Sequence, residues 1–145
     1  MSVQDANKAL VRRYAEEVWT HGNLDVLDEY VAEDYELAIP EENLVLRGPE
    51  ALKRWVRVLR SAFPDHRMTV HELIAEGDTV AWRWEARGTH AGDALGVPAT
   101  GRSVVMTGVA IYVIRDGRIV ERRGEANLLD MFTQVGLVSM VQPAC

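Results

Sequence analysis

Thr79-Val80-Ala81-Trp82-Arg83-Trp84-Glu85-Ala86-Arg87-Gly88-Thr89-His90 alternates with a period of two: Val80, Trp82, Trp84 and Ala86 fall on one side, Arg83, Glu85 and Arg87 on the other. That spacing specifies a long strand with one buried face. Upstream, Met68 to Ala75 is rich in β-formers and is joined to this strand by the turn Glu76-Gly77-Asp78. Downstream, a loop carrying Gly92, Gly96, Pro98 and Gly101 leads into a second long strand, Arg102 to Arg115. Asp116-Gly117 is a strong hairpin signal, and Arg118 to about Asn127 returns as a strand. Leu128 to Val135 reads as a short closing helix ended by Gly136.

The first half has a different period. Across Asp5 to Thr20, Leu10, Tyr14 and Val18 recur with Val11, Ala15 and Trp19, the three-to-four spacing of one buried helix face. His21-Gly22-Asn23 stops that helix, and Leu24, Leu27, Tyr30 and Val31 outline a short second one. Gly48-Pro49-Glu50 starts a third, with Pro near the first helical position and an acid in the first turn. Its buried stripe is Leu52, Trp55, Val56, Leu59 and Phe63, and Pro64 ends it. The expected order is three N-terminal helices followed by about four long, mostly antiparallel strands. This is an α+β chain of one domain over residues 1–145.

Bulk properties narrow the function. The 145 residues are 48% hydrophobic and 26% charged, an ordinary globular composition. A net charge of -6 repels phosphate backbones, so no nucleic acid partner is expected. No apolar run reaches the roughly 20 residues that span a bilayer, and no membrane partner is expected. Met1 to Asn7 lacks the basic start and apolar stretch of a secretory signal, and the lone cysteine is Cys145; the cytoplasm is the expected location. The histidines are His21, His66, His71 and His90, with no i,i+4 pair and no cysteine support, so no metal site is expected. His66 and His71 lie five apart, which places them on opposite faces of a strand. No phosphate-binding glycine loop or serine elbow is present.

Several phrases of the second half occur together in one order: Phe63-Pro64-Asp65, Ala75-Glu76-Gly77-Asp78, Gly88-Thr89-His90-Ala91-Gly92, Leu95-Gly96-Val97-Pro98-Ala99-Thr100-Gly101, Asp116-Gly117-Arg118-Ile119-Val120-Glu121 and Gln134-Val135-Gly136. In order and spacing they resemble the SnoaL-like polyketide cyclase family of the nuclear transport factor 2-like superfamily. The first half matches only in its helical layout. The resemblance implies a cone-shaped α+β barrel in which the helices pack on a curved, mostly antiparallel sheet around a pocket. It also implies a homodimer or higher homo-oligomer, a small-molecule substrate, and catalysis without metal or organic cofactor. The founding members of the family close polyketide rings by an intramolecular aldol step.

The candidate catalytic residues are His90, Glu125 and Asn127. His90 sits in the family's Gly-Thr-His phrase at a strand end, where an imidazole can move a proton or polarise a carbonyl; the alternative is a loop histidine that hydrogen-bonds the glycine loop after it. Asn127 stands where the family usually has an aspartate that serves as acid and base. An amide cannot remove a proton; it can hold a carbonyl or enolate oxygen, or cap a helix. Glu125, two residues earlier, shares a strand face with Asn127 and Arg123. A partly buried carboxylate there replaces the missing base, whereas an exposed one simply pairs with arginine. Arg122 and Arg123 stand where the family often has an aromatic residue. An inward Arg123 stabilises developing negative charge and also lowers the pKa of Glu125.

The substrate-binding set is Tyr14, Trp19, Trp55, Trp84, Arg123 and Glu41. Tyr14, Trp19, Trp55, Trp82 and Trp84 are core by default, and some line the pocket if the ligand is flat and apolar. Glu41 and Glu42 precede Val45 in a loop from which they could reach the pocket mouth. Arg83 and Glu85 on one strand face are similar to the acid-arginine-acid arrangement of cone-fold epoxide hydrolases, with an exposed salt-bridged face as the alternative.

Three functions are therefore carried forward. One is a cofactor-independent cyclase or isomerase acting on a bulky apolar, polyketide-like or terpenoid-like natural product by acid/base catalysis. The second is an epoxide-opening cyclase or hydrolase of the same fold. The third is a non-catalytic small-molecule-binding or association domain.

Overall fold

In the computed structural model, which describes residues 2–39, 43–93 and 96–139, the alternating stretch forms one long strand, Thr79–Thr89, with Val80, Trp82, Trp84 and Ala86 all buried. It is the fourth strand (β4) of a six-stranded sheet. Its neighbours are β3 (Arg67–Glu76) and β5 (Ser103–Arg115), and β6 (Arg118–Ala126) follows through Asp116-Gly117, both at positive φ. Positive φ at both central residues is what a tight primed turn requires, and an Asp-Gly pair tolerates it.

Two further strands enter between the helices. The helical half runs α1 (Val3–Tyr14), a π-helical turn (Ala15–Thr20), a 3₁₀ turn (Leu24–Val26) and α2 (Leu27–Tyr30). It then turns extended as β1 (Val31–Ile39) and β2 (Leu44–Arg47) before α3 (Gly48–Ala62). The sheet order is β2-β1-β6-β5-β4-β3, antiparallel throughout except for the parallel pair β1–β6. The expectation of about four strands after three helices is corrected to six, and α4 (Leu128–Gln134) is the closing helix. β1 hides from a period-two reading because its register shifts between Val31 and Glu36 and it carries Glu33, Asp34 and Glu36. β2 is four residues long and mostly exposed.

The sheet is open: β2 and β3 are its edges. Register shifts interrupt the ladders of β3–β4 near Val70 and β5–β6 near Val113, and such bulges bend the strands that carry them. The helices cover the concave side. The main core joins Val11, Tyr14 and Val18 to Leu52 and Val56 of α3 and to Trp82, Tyr112 and Ile119 of the sheet. A second cluster, Ala62, Phe63, Val97, Val104, Met131 and Val135, ties α4 and the loop around Val97 to the end of α3.

No helix among the described residues is long and apolar enough to cross a membrane. Cys145 lies outside the described residues.

Candidate active site

Strand parity builds the site. Directly paired residues share a face, so the inner face carries the rows Val80–Tyr112–Arg122, Trp82–Ala110–Gly124 and Trp84–Gly108–Ala126. The two tryptophans of β4 thus face very small residues on β5 and β6. A Cβ on Gly108 would stand 2.3 Å from Trp84 Cζ2 and 2.6 Å from the Glu125 carbonyl oxygen, so the Trp84 indole lies across the bare glycine. A Cβ on Gly124 would stand 2.8 Å from Nη2 of Arg122, so the guanidinium lies over Gly124 in the same way. These gaps leave room above the sheet.

The room is a cavity of about 320 Å³ between the inner face and the helices. Its wall is mainly aromatic and aliphatic: Trp19 of the π-helical turn, Trp55 and Leu59 of α3, Trp82 and Trp84 of β4, and Phe132 of α4. Among the described residues of this wall Arg122 is the one permanent cation, and no carboxylate is present. Cavities of this size and composition take flat, largely apolar ligands oriented by a few polar groups.

Arg122 faces three phenols. Burial raises the pKa of Tyr14, Tyr35 and Tyr112, and the Arg122 charge lowers each of them by less. All three therefore stay neutral at physiological pH. The Tyr14 and Tyr35 hydroxyls, like the indole nitrogens of Trp19, Trp82 and Trp84, are buried without a hydrogen-bond partner. A buried orphan donor costs on the order of 1–3 kcal/mol, so the three indole N–H groups of the wall residues Trp19, Trp82 and Trp84 mark a place where a polar ligand group can complete the structure.

His66 supplies the other ionisable group of the wall. It follows α3 in the turn Phe63–His66 and is almost fully buried. Its Nδ1 lies 3.1 Å from the carbonyl oxygen of Trp19. A carbonyl only accepts, so Nδ1 carries the proton and Nε2 keeps a lone pair. Burial, helped by the nearby Arg60 charge, lowers the His66 pKa below the ordinary histidine value, and the ring is neutral at pH 7.

Of the residues expected from sequence, Trp19, Trp55 and Trp84 come together on the cavity wall. Tyr14 lies one layer behind it, packed edge-on against Tyr112 with ring centroids 5.8 Å apart. The rest are elsewhere. His90 is fully buried but off the wall: Phe63 stands against it at 5.6 Å, and its Nδ1 lies 3.0 Å from Thr100 Oγ1. Arg123 and Glu125 point outward, because parity turns Arg122, Gly124 and Ala126 inward; Arg123 pairs with Glu121. Asn127 is exposed and caps α4, its Oδ1 accepting from the Asp130 N–H at 3.1 Å. Arg83 and Glu85 also face outward, pairing with Glu72 and Arg87 respectively at 2.8 Å. Glu41 and Glu42 lie outside the described residues. The epoxide-opening alternative needs a carboxylate inside the pocket, and the described wall offers none. No group of three metal-ligating side chains comes together among the described residues.

The family model of the SnoaL-like polyketide cyclases matches residues 9–135. The chain belongs to that family. It is 34% identical over 131 residues to the aklanonic acid methyl ester cyclase DnrD of Streptomyces peucetius, covering 88% of each chain. Its fold is similar to that of TsrD from Streptomyces laurentii, with a TM-score of 0.85, 26% identity, and coverage of 95% of this chain and 100% of the other. IdmH from Streptomyces antibioticus gives a TM-score of 0.80 at 31% identity, covering 90% and 98%. These similarities bear out the expected α+β fold and a polyketide cyclase function.

Within this family the wall of the present member has two features that sequence reasoning missed, His66 and Arg122. Arg122 is distinguishable from Arg123 only by parity, and parity is set by the pairing of Tyr112 with Arg122. That pairing follows from counting alternate residues back from Trp82 through Ala110 to Gly124. His66 carries no periodic signal, since it sits in a turn.

Proposed function

We propose that residues 1–145 act as one catalytic unit that closes a carbocyclic ring on a polycyclic aromatic polyketide of the aklanonic acid methyl ester kind, by intramolecular aldol addition. The support is the wall composition: a flat aromatic body fits between Trp19, Trp55 and Trp84, and a single half-buried guanidinium, Arg122, stands where an enolate or alkoxide oxygen can be held. In a site with few competing dipoles such a charge acts on the transition state more strongly than it does in water. Deprotonation next to a carbonyl gives the enolate, its carbon attacks a second carbonyl, and the resulting alkoxide is protonated. Substrate and product are isomers, so the chemistry is balanced without a redox partner.

Incubation with aklanonic acid methyl ester, followed by chromatography and mass spectrometry, tests this. The expected result is a product of unchanged mass, altered retention and new optical activity. Substrate that binds and is recovered unchanged contradicts it and favours a binding role. A cytoplasmic homodimer is part of the same proposal; the exposed Ile74, Val109 and Ile111 on the outer sheet face support the pairing, and light scattering checks it.

A further inference from the structure

We propose that His66, through Nε2, is the group that takes the carbon-bound proton of the substrate and returns it to the new alkoxide; this rests on the ring-closure reading above. The C–H bond breaks and its electron pair becomes the enolate, whose oxygen faces Arg122. The proton moves to Nε2, making an imidazolium. The new C–C bond then turns the attacked carbonyl into an alkoxide, and the imidazolium protonates it. Nothing is consumed, and His66 ends neutral.

The assignment stands on geometry. His66 is on the cavity wall, whereas Glu125 and Asn127 are not. The Trp19 carbonyl fixes the Nδ1–H tautomer at 3.1 Å, and Nε2 hydrogen-bonds to no described residue. That carbonyl is itself held. The π-helical turn ends at Thr20, leaving the Trp19 and Thr20 carbonyls without helical partners, and Arg60 Nη1 donates to them at 2.7 and 2.9 Å. Thr20 Oγ1 accepts from the Met68 N–H at 3.0 Å, tying the same turn to β3 just beyond His66. Imidazole, tautomer lock and clamp therefore form one unit drawn from the π-helical turn, α3 and β3. The charged groups facing His66 are Arg60, which lowers its pKa, and Asp65, which raises it. Trp19, Thr20 and Met68 do not ionise. Arg60 is a positioning residue, acting through the Trp19 carbonyl and through its charge.

The test combines turnover with nitrogen-15 NMR of the imidazoles, using a hydroxyanthraquinone as the bound probe. His66→Gln keeps an amide N–H for the Trp19 carbonyl but has no proton-accepting nitrogen. Its kcat is expected to fall by about 100- to 10,000-fold, with probe affinity retained and the acid limb of the pH profile abolished. Arg60→Met is expected to move that limb to higher pH, a change that loss of packing alone does not produce. NMR is expected to show the Nδ1–H tautomer, with Nε2 shifting when the probe binds. A His66→Gln enzyme that turns over at the wild-type rate overturns this proposal and leaves the ring-closure reading intact. An Nε2–H tautomer overturns it regardless of turnover. Wild-type protein that binds the probe and closes no ring overturns the ring-closure reading, and this proposal with it.

Discussion

The two faces of the sheet are made of the same strands, yet only one faces the cavity. On β6, Arg122, Gly124 and Ala126 turn inward while Arg123 and Glu125 turn outward. On β4, Trp82, Trp84 and Ala86 turn inward, and Arg83, Glu85 and Arg87 turn outward into ion pairs. The outward charges are solvated and each exposed pair contributes about 0–1 kcal/mol. The inward Arg122 is surrounded by neutral phenols and indoles. A one-residue step along a strand therefore separates a surface ion pair from a group able to act on a substrate.

The contrast can be broken without touching a charged residue, at Gly124. A Gly124→Ala change puts a methyl group where the Arg122 guanidinium lies, at the flexible end of that side chain, so the fold tolerates it while the charge is displaced. Displacement by an ångström or so costs about 100-fold in turnover, with little change in melting temperature; steady-state kinetics and thermal unfolding together check this. Gly108→Ala has the opposite signature. Its methyl group meets the rigid Trp84 ring and a backbone carbonyl, so overpacking costs about 1–3 kcal/mol and lowers the melting temperature by several degrees.

A smaller effect follows from His66. Its folded-state pKa lies below the ordinary 6.5, so the unfolded chain binds more protons between those two values. The stability associated with neutral His66 is complete above the ordinary value and is lost as pH falls toward the folded one. Denaturant midpoints at neutral and mildly acidic pH should therefore differ less in His66→Gln than in the wild type. The smallest effect belongs to the outer face: Glu125→Gln should leave turnover within about twofold, as expected for an exposed carboxylate remote from the chemistry.

Much of this architecture was legible in the sequence. The alternation from Val80 to Ala86, the Asp116-Gly117 turn and the stripe along α3 each record a local rule that the fold obeys. β1 and β2 escaped because a bulge and three acids blur one of them and the other is short and exposed. The aromatic wall was legible through Trp19, Trp55 and Trp84, since large apolar side chains at regular spacing must face inward somewhere. The polar groups were harder. Which of two adjacent arginines turns inward depends on where β5 and β6 register, a non-local property. That His66 lines the cavity, while His90 sits behind Phe63, depends on how the α3 turn meets the π-helical turn. Asn127 was legible as a helix cap, and the capping bond is present.

The most direct measurement is kcat/KM for ring closure of aklanonic acid methyl ester by Arg122→Met and Arg123→Met side by side. The inward charge predicts a loss of about 100-fold or more for Arg122→Met and a change within about twofold for Arg123→Met. Equal losses, or a larger loss at Arg123, would contradict the assignment of the chemistry to the inner face.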